Sequence, residues 1–313
     1  MTLRTITLST LLASALVFPV SSSIAQDKYP SRPIELIVPW GPGGGADILG
    51  RKAAKLLEPI LKVSLPVINV PGATGQTGLN KMLTGEADGY TISIMTGDTF
   101  GTLAGASPKW ALKDIVPLAI MIRTPSAFFV QEGGKINTWA DLEKAAKAGP
   151  LKVAITGFNS PDDYTVKYFT KKGLKLVSVP FAKPGERYTA ILGGHADVLF
   201  EQAGDVKGYI KNKQMRPVIF FNAKRDPQFS DVPASGELGH NIFLPQFRMI
   251  IAKAGTPADR LKVLSDALIQ VSKSPEYAAY LKEELGDPNS FAAGVDALKF
   301  LEGELKALKE HSK

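Results

Sequence analysis

The sequence predicts an α/β protein of two lobes, each a mostly parallel sheet flanked by helices, with strands that cross between the lobes as a hinge. Three observations predict it. Short apolar, branched runs alternate with stretches of helical periodicity, the pattern of βαβ units. Gly-rich turns stand where the first two strands pass into helices. No Pro/Gly/Ser-rich linker separates the halves, so strands running from one lobe into the other must connect them. A chain of 313 residues, 44% hydrophobic and 21% charged, has a globular composition and length enough for two such lobes.

Residues 1–25 read as a cleavable export signal, which sets the compartment as outside the inner membrane. Arg4 precedes an apolar stretch over 6–20, too short to span a bilayer, and Ser23-Ile24-Ala25 offers small residues at both peptidase positions. The alternative is an N-terminal anchor. The chain has no Cys, which excludes disulfides, thiol chemistry and a lipid-attached Cys. The net charge of +7 loses one unit with Arg4, and the remaining Lys residues are scattered over helices, a pattern that argues against nucleic acid.

The elements follow in order. Residues 34–39 form a buried strand, and 47–58 a helix with Ile48, Leu49, Leu56 and Leu57 on one side and Pro59 as its stop. Strands at 66–70 and 90–95 enclose a helix at 77–83, and the strand 115–122 ends this unit. The second unit opens with 128–130. Thr138 and Asp141 form a capping box for a helix ending near Gly149. Strands at 153–156, 176–179, 198–200 and 217–221 alternate with a helix capped by Asp162 that runs to Lys172, and with another at 186–192. The tail is helical over 257–271, 275–285 (Ser274 as cap) and 295–308. The lobes are therefore expected at 26–125 together with 250–313, and at 126–249.

Ligands of such sheets gather beyond the carboxyl ends of the strands. In the run Trp40-Gly41-Pro42-Gly43-Gly44-Gly45-Ala46-Asp47, the glycines let backbone N–H groups at a helix N-terminus approach an anion with no Cβ in the way. Gly72-Ala73-Thr74-Gly75 adds N–H donors, and Thr74 and Thr77 add hydroxyls. Thr96, Gly97, Asp98 and Thr99 end the third strand at the same edge. From the second lobe, Thr156, Gly157, Phe158, Asn159 and Ser160 face the cleft, and Phe181 and the pair Glu201-Gln202 follow two further strands. Asp47 either faces the pocket, where it would repel an anion, or caps its helix. Trp40 either walls the ligand or packs between elements of the lobe.

Nothing in the chain is spaced for covalent chemistry. There is no Gly-x-Ser-x-Gly elbow, and His195, His240 and His311 fit no zinc spacing. Residues 42–47 loosely resemble a dinucleotide fingerprint, but the strand over 66–70 leads into Pro71 with no acidic residue for a ribose. The expectation is a binding protein, not an enzyme, with no metal and no cofactor.

Several motifs occur in a fixed order: Tyr29-Pro30-Ser31-Arg32-Pro33-Ile34, the run from Val38 to Asp47, Pro71-Gly72-Ala73 with Gly78, and Ala87-Asp88-Gly89-Tyr90-Thr91. Val179-Pro180-Phe181, Leu192-Gly193-Gly194, Asp231-Val232-Pro233 and Ala254-Gly255-Thr256-Pro257 follow. Together they resemble the periplasmic solute-binding proteins of tripartite tricarboxylate transporters, the TctC or Bug type. The resemblance implies a type II-like periplasmic binding protein, its first lobe built from the N-terminal part plus the C-terminal helices. It implies a carboxylate ligand held by the two Gly-rich loops, a second lobe that selects the acid, and delivery to membrane permease subunits by a monomer. A sensor that presents its bound form to a membrane signalling protein has the same fold and pocket, and is the alternative.

The chain departs from the family pattern in the second lobe. Asp162-Asp163 stand where many members have His-Leu, Glu201-Gln202 where many have Asp-Asn, and Phe181 in place of Tyr. Arg248 falls where relatives often carry an aromatic-Gly segment. Arg248 and Arg187 are candidates for a second carboxylate or for salt bridges. Glu201, Asp205 and Asp98 make the cleft less basic than a tricarboxylate requires; a ligand with a cationic amine, or a protonated Glu201, would account for them.

Overall fold

The computed structural model describes residues 28–312; the expected export signal over 1–25 lies outside the described residues. The chain first lays down β1 (Glu35–Val38), α1 (Gly45–Leu61), β2 (Val67–Asn69), α2 (Gln76–Thr84), β3 (Thr91–Thr96) and the short α3 (Gly97–Gly101). β1 lies between β2 and β3 and is parallel to both, with α1 and α2 as crossovers. β4 (Ile115–Thr124) then passes through Pro125 directly into β5 (Ser126–Gln131), and the two strands belong to different sheets. Proline has no N–H for a ladder, so the break in pairing falls there.

The second lobe continues with α4 (Trp139–Ala148), β6 (Leu151–Ile155), α5 (Pro161–Lys171), β7 (Leu176–Pro180), α6 (Pro184–Leu192), β8 (Val198–Gln202), α7 (Lys207–Lys211) and β9 (Met215–Phe220). Its strand order is β7-β6-β8-β5-β9. β10 (Gln246–Lys253) returns to the first sheet, followed by α8 (Ala258–Ser272), α9 (Pro275–Glu283), β11 (Ala292–Ala293) and α10 (Gly294–His311). The first sheet reads β11-β4-β10-β3-β1-β2. Two α/β lobes joined by crossing strands are thus present, as the sequence predicts.

Both sheets are mixed. The parallel pairing is confined to the βαβ parts, β2-β1-β3 and β7-β6-β8. The strands at the crossings pair antiparallel: β4 with β10, β10 with β3, and β5 with β8 and β9. This has a consequence for the cleft. β10 runs against β3, so its first residues lie where β3 ends, and Arg248 stands opposite Thr96.

Local chemistry accounts for most of the element ends. Thr138 Oγ1 accepts from Asp141 N (3.2 Å) and Asp141 Oδ2 from Thr138 N (3.1 Å), so the expected capping box forms. Ser274 Oγ accepts from Tyr277 N and caps α9. Three expectations are corrected. Pro59 lies inside α1: a proline in the last turn forfeits only one bond, and the helix continues far enough to bury Leu61 before Lys62 turns left-handed. Ser160, not Asp162, caps α5, because Pro161 fits the first helical position. The strand β10 was not foreseen at all, and it rejoins the first sheet at Gln246, ahead of residue 250.

One apolar cluster links the lobes on the side of α10. It runs from Met95, Phe100 and Phe247 through Leu301 and Leu308 to Phe128 and Phe169. A second cluster lies under α1 and α8, and a third beneath α6.

Candidate functional site

The carboxyl ends of β1, β3, β6 and β8 and the amino end of β10 converge on a cavity of about 30 Å³ between the lobes. Of the residues singled out from sequence, the first lobe brings Trp40, Gly44, Gly45, Ala46, Thr96 and Asp98 to its wall, and the second brings Thr156, Glu201 and Gln202. Arg187, Asp205 and Arg248, weighed from sequence as charges, also line it. Pro184 and Tyr188 were missed. Their signal was a proline opening a helix just beyond β7, with Arg187 and Tyr188 on the following turn.

The first Gly-rich loop is the tightest point. A Cβ on Gly44 would lie 2.6 Å from Pro184 Cγ, and one on Gly45 2.3 Å from Asp205 Oδ1 and 2.4 Å from Arg248 Cζ. Both glycines therefore let second-lobe side chains meet the N-terminus of α1, where partial positive charge favours an anion. Gly41 faces Lys183 at ordinary contact distance, and Gly43 has open space around it. Asp47 turns away from the cavity. Its carboxylate accepts from Gly43 N (3.1 Å), Asn69 Nδ2 (3.0 Å) and Arg51 Nε (3.0 Å). Burial works against its charge, but these bonds win and hold its pKa below the usual value.

The second Gly-rich loop stops short of the cavity. Gly72, Ala73, Thr74 and Gly75 all have positive φ, with Ala73 at 47° and Thr74 at 55°. Thr74 Oγ1 would be 2.2 Å from a Cβ on Gly157, so this loop closes over the second lobe at the rim. Gly97 packs against Gln246. Asn159 N donates to Asp163, Ser160 Oγ to Gly157 O, and the ring of Phe158 is 54% exposed. Phe181 lies partly buried against the apolar cluster beneath α6, and only its carbonyl serves the site, accepting from Arg187 (3.0 Å). Trp40 lines the cavity and also belongs to the core under α1, its Nε1 donating to Thr96 Oγ1 at 3.1 Å.

Charge is concentrated here. Arg187 and Glu201 form a buried pair at 2.5 Å, with side chains 4% and 3% exposed. Arg248 pairs with Asp205 across the cleft and donates to Gln202 Oε1 at 3.2 Å. Burial works against both guanidinium charges, but the facing carboxylates more than offset it and raise both pKa values. Asp205 is pushed up to about 7 by burial, with Arg248 pulling the other way. Asp98 Oδ2 accepts from Gln246 Nε2 (2.6 Å), and its Oδ1 lies within hydrogen-bond distance of Thr156 Oγ1 (3.1 Å). Burial first, then the neighbouring Asp162, push it well above the usual carboxylate range. Among the described residues, no group of three or more His, Cys, Asp or Glu is arranged to hold a metal ion. The site is thus a closed pocket of paired, desolvated charges between the lobes.

The family model for the tripartite tricarboxylate transporter family receptor, TctC, matches residues 49–310. A UPF0065 protein of Bordetella bronchiseptica is 28% identical over 276 residues, 86% of this chain and 82% of its own length. A TctC solute-binding protein from Polaromonas is 27% identical with a TM-score of 0.64, covering 91% of this chain and 98% of its own. MatC from Rhodopseudomonas palustris, solved with malate, is 17% identical with a TM-score of 0.82, covering 91% of this chain and 100% of its own. A second R. palustris protein, solved with adipate, is 22% identical with a TM-score of 0.83, covering 91% and 97%. The family and the Polaromonas neighbour are solute-binding proteins, not enzymes.

Proposed function

The chain belongs to the tripartite tricarboxylate transporter receptor family, TctC. From that premise we propose that it is a periplasmic protein that captures a small organic acid between its lobes and hands it to the membrane permease subunits of such a transporter. The observation that carries the reading is the meeting of Arg248 with the N-terminal turn of α1 at one buried point of the cleft. A carboxylate there gains a guanidinium and the partial positive charge of a helix end, both desolvated. Malate and adipate in two neighbours of the same fold agree with an acid ligand.

The cavity, at about 30 Å³, has room for little more than water. An acid therefore enters with the lobes parted about the crossings at Pro125 and before Gln246, and closure buries it. Cross-cleft bonds from Arg248 to Asp205 and Gln202, and between Thr156 and Asp98, hold the closed state. No covalent step, cofactor or nucleic acid takes part, and the chain acts as a monomer. The test is a thermal-shift screen of the chain from Gln26 on, unfolded, washed free of carried-over ligand and refolded. Aliphatic, aromatic and amino-acid carboxylates are added in turn. One class is expected to raise the melting temperature by several degrees through mass action; no rise with any of them would overturn the reading. Uptake of the same labelled acid by cells lacking this chain, restored by supplying it, tests delivery.

A further inference from the structure

We propose that the acid is a zwitterion, its carboxylate set against Arg248 and the N-terminus of α1 and its ammonium group received by Asp98. The proposal rests on the acid-binding reading above and narrows it to amine-bearing acids.

The first argument is charge. Asp98, Glu201 and Asp205 line the cavity against Arg187 and Arg248. Each arginine already faces a carboxylate of the protein, Arg187 with Glu201 and Arg248 with Asp205. A dicarboxylate would bring two more negative charges into a space that holds no uncommitted cation. A zwitterion brings none net, and removal from water penalises an uncompensated charge heavily.

The second argument is the state of Asp98 itself. Its side chain is buried, lines the cavity, and has two neutral hydrogen-bond partners, Gln246 and Thr156. Thr156 Oγ1 lies 3.1 Å from Asp98 Oδ1 and 2.7 Å from Asp162 Oδ2, while Thr156 N also donates to Asp162 Oδ2. A hydroxyl has one proton to give, so it satisfies only one of two ionised carboxylates. The remaining contact is made by a proton on the Asp98 carboxyl, donated back to Thr156. Burial favours that proton most, and Asp162 on α5 and Glu201 on β8 favour it further. Arg187 on α6 opposes it from within its pair with Glu201; Gln246 on β10 is neutral. A ligand ammonium supplies the positive charge that the proton supplies in its absence, so it enters as the proton leaves.

The third argument is an acceptor with nothing to accept. Asp205 Oδ1 is buried without a hydrogen-bond partner, on a side chain 5% exposed, and it lines the same cavity. When a ligand carboxylate shares Arg248, Asp205 loses part of its counter-charge, and the cationic end of a zwitterion restores it.

The experiment is isothermal titration calorimetry of the refolded chain from Gln26 on. The probes are unbranched molecules of graded length, each as dicarboxylate, 2-amino monocarboxylate, 2-amino dicarboxylate and diamine, in buffers of different ionisation enthalpy. Amine-bearing acids are expected to bind about ten-fold or more tighter than dicarboxylates of equal length and to release about one proton at neutral pH. In Asp98→Asn both the preference and the proton release should disappear. If that variant does not fold, the proton count on the unchanged protein still decides. Tighter binding of dicarboxylates, or amine-bearing acids bound without proton release, would overturn the proposal and leave the acid-binding reading standing. Binding of diamines alone, or of no probe, would overturn both.

Discussion

Arg248 and Asp205 pair across the cleft, one from β10 of the first lobe and one from the loop after β8 of the second, and both press on Gly45. The contact exists only when the lobes are together and only because position 45 has no side chain. Gly45→Ala and Gly44→Val are therefore expected to keep the fold and hold the lobes apart. Each would place a Cβ under 3.0 Å from second-lobe atoms. Ligand affinity should drop about 100-fold or more, since bound contacts that span the cleft are lost, and small-angle scattering should report a larger radius with ligand than the parent shows. A Gly45→Ala protein that binds and compacts normally would remove this loop from the site.

Arg187 and Glu201 are a different case, because both lie within the second lobe. Glu201→Gln leaves a buried guanidinium without its counter-charge, and removing one partner of such a pair costs about 3–5 kcal/mol. Urea unfolding should show that loss. Replacing both residues together, Arg187→Met with Glu201→Leu, should cost much less, since neither charge then needs compensation. An equal loss in the single and double variants would mean that the pair is not electrostatically coupled. Where Glu201→Gln folds, its ligand preference should also change; unchanged selectivity would take Glu201 out of the site.

The pH dependence has a definite sign. Asp98 and Asp205 hold their protons more tightly in the folded chain than in the unfolded one, Asp205 with a folded pKa of about 7. Above the usual carboxylate pKa of about 4, the native state then binds more protons than the unfolded state. Stability falls as pH rises, from pH ~4 through the folded value. Glu304, pushed to about 7 by burial, adds the same sign. His240 and His311, lowered by burial, oppose it below pH ~6.5. The ligand-free protein is thus expected to melt higher near pH 5.5 than near pH 8. Asp98→Asn should reduce that difference. A melting temperature that climbs over this range would contradict the protonated state of Asp98.

The sequence made the βαβ parts and the first-lobe edge of the cleft legible because they announce themselves locally. Apolar runs of strand length end in glycine turns, and Trp40, Gly44, Gly45, Thr96 and Asp98 stand at those ends. β10 gave no such signal. It is buried along Gln246–Ala252, so it lacks polar alternation, and its Arg248 reads either as a carboxylate ligand or as half of a salt bridge until Asp205 is known to face it. At the second Gly-rich loop, glycine spacing shows only that backbone can approach something closely, and what Gly72 and Gly75 approach is Thr77 and Thr99 of the same lobe. Tyr188 carried only the weak signal of a proline-opened helix beyond β7, and it is the placement of α6 against β6 and β8 that turns that helix face to the cavity.

Trp40 offers a direct readout of the cleft. The chain has three tryptophans; Trp110 and Trp139 sit in the apolar core, and Trp40 alone lines the cavity. Its indole donates to Thr96 Oγ1, itself a cavity residue that also meets Thr99. Entry of a ligand changes the polarity around that ring and the bond that orients it, while the surroundings of the other two stay in the core. Ligand addition should therefore shift or quench the intrinsic emission, and Trp40→Phe should abolish the change. The phenyl ring keeps most of the apolar contact under α1 but removes the indole donor to Thr96 Oγ1, which keeps only Thr99 as a partner, so affinity should weaken by a few-fold to about ten-fold. An emission change that survives in Trp40→Phe would place the ligand-sensitive tryptophan elsewhere and argue for movement in the shared core around α10.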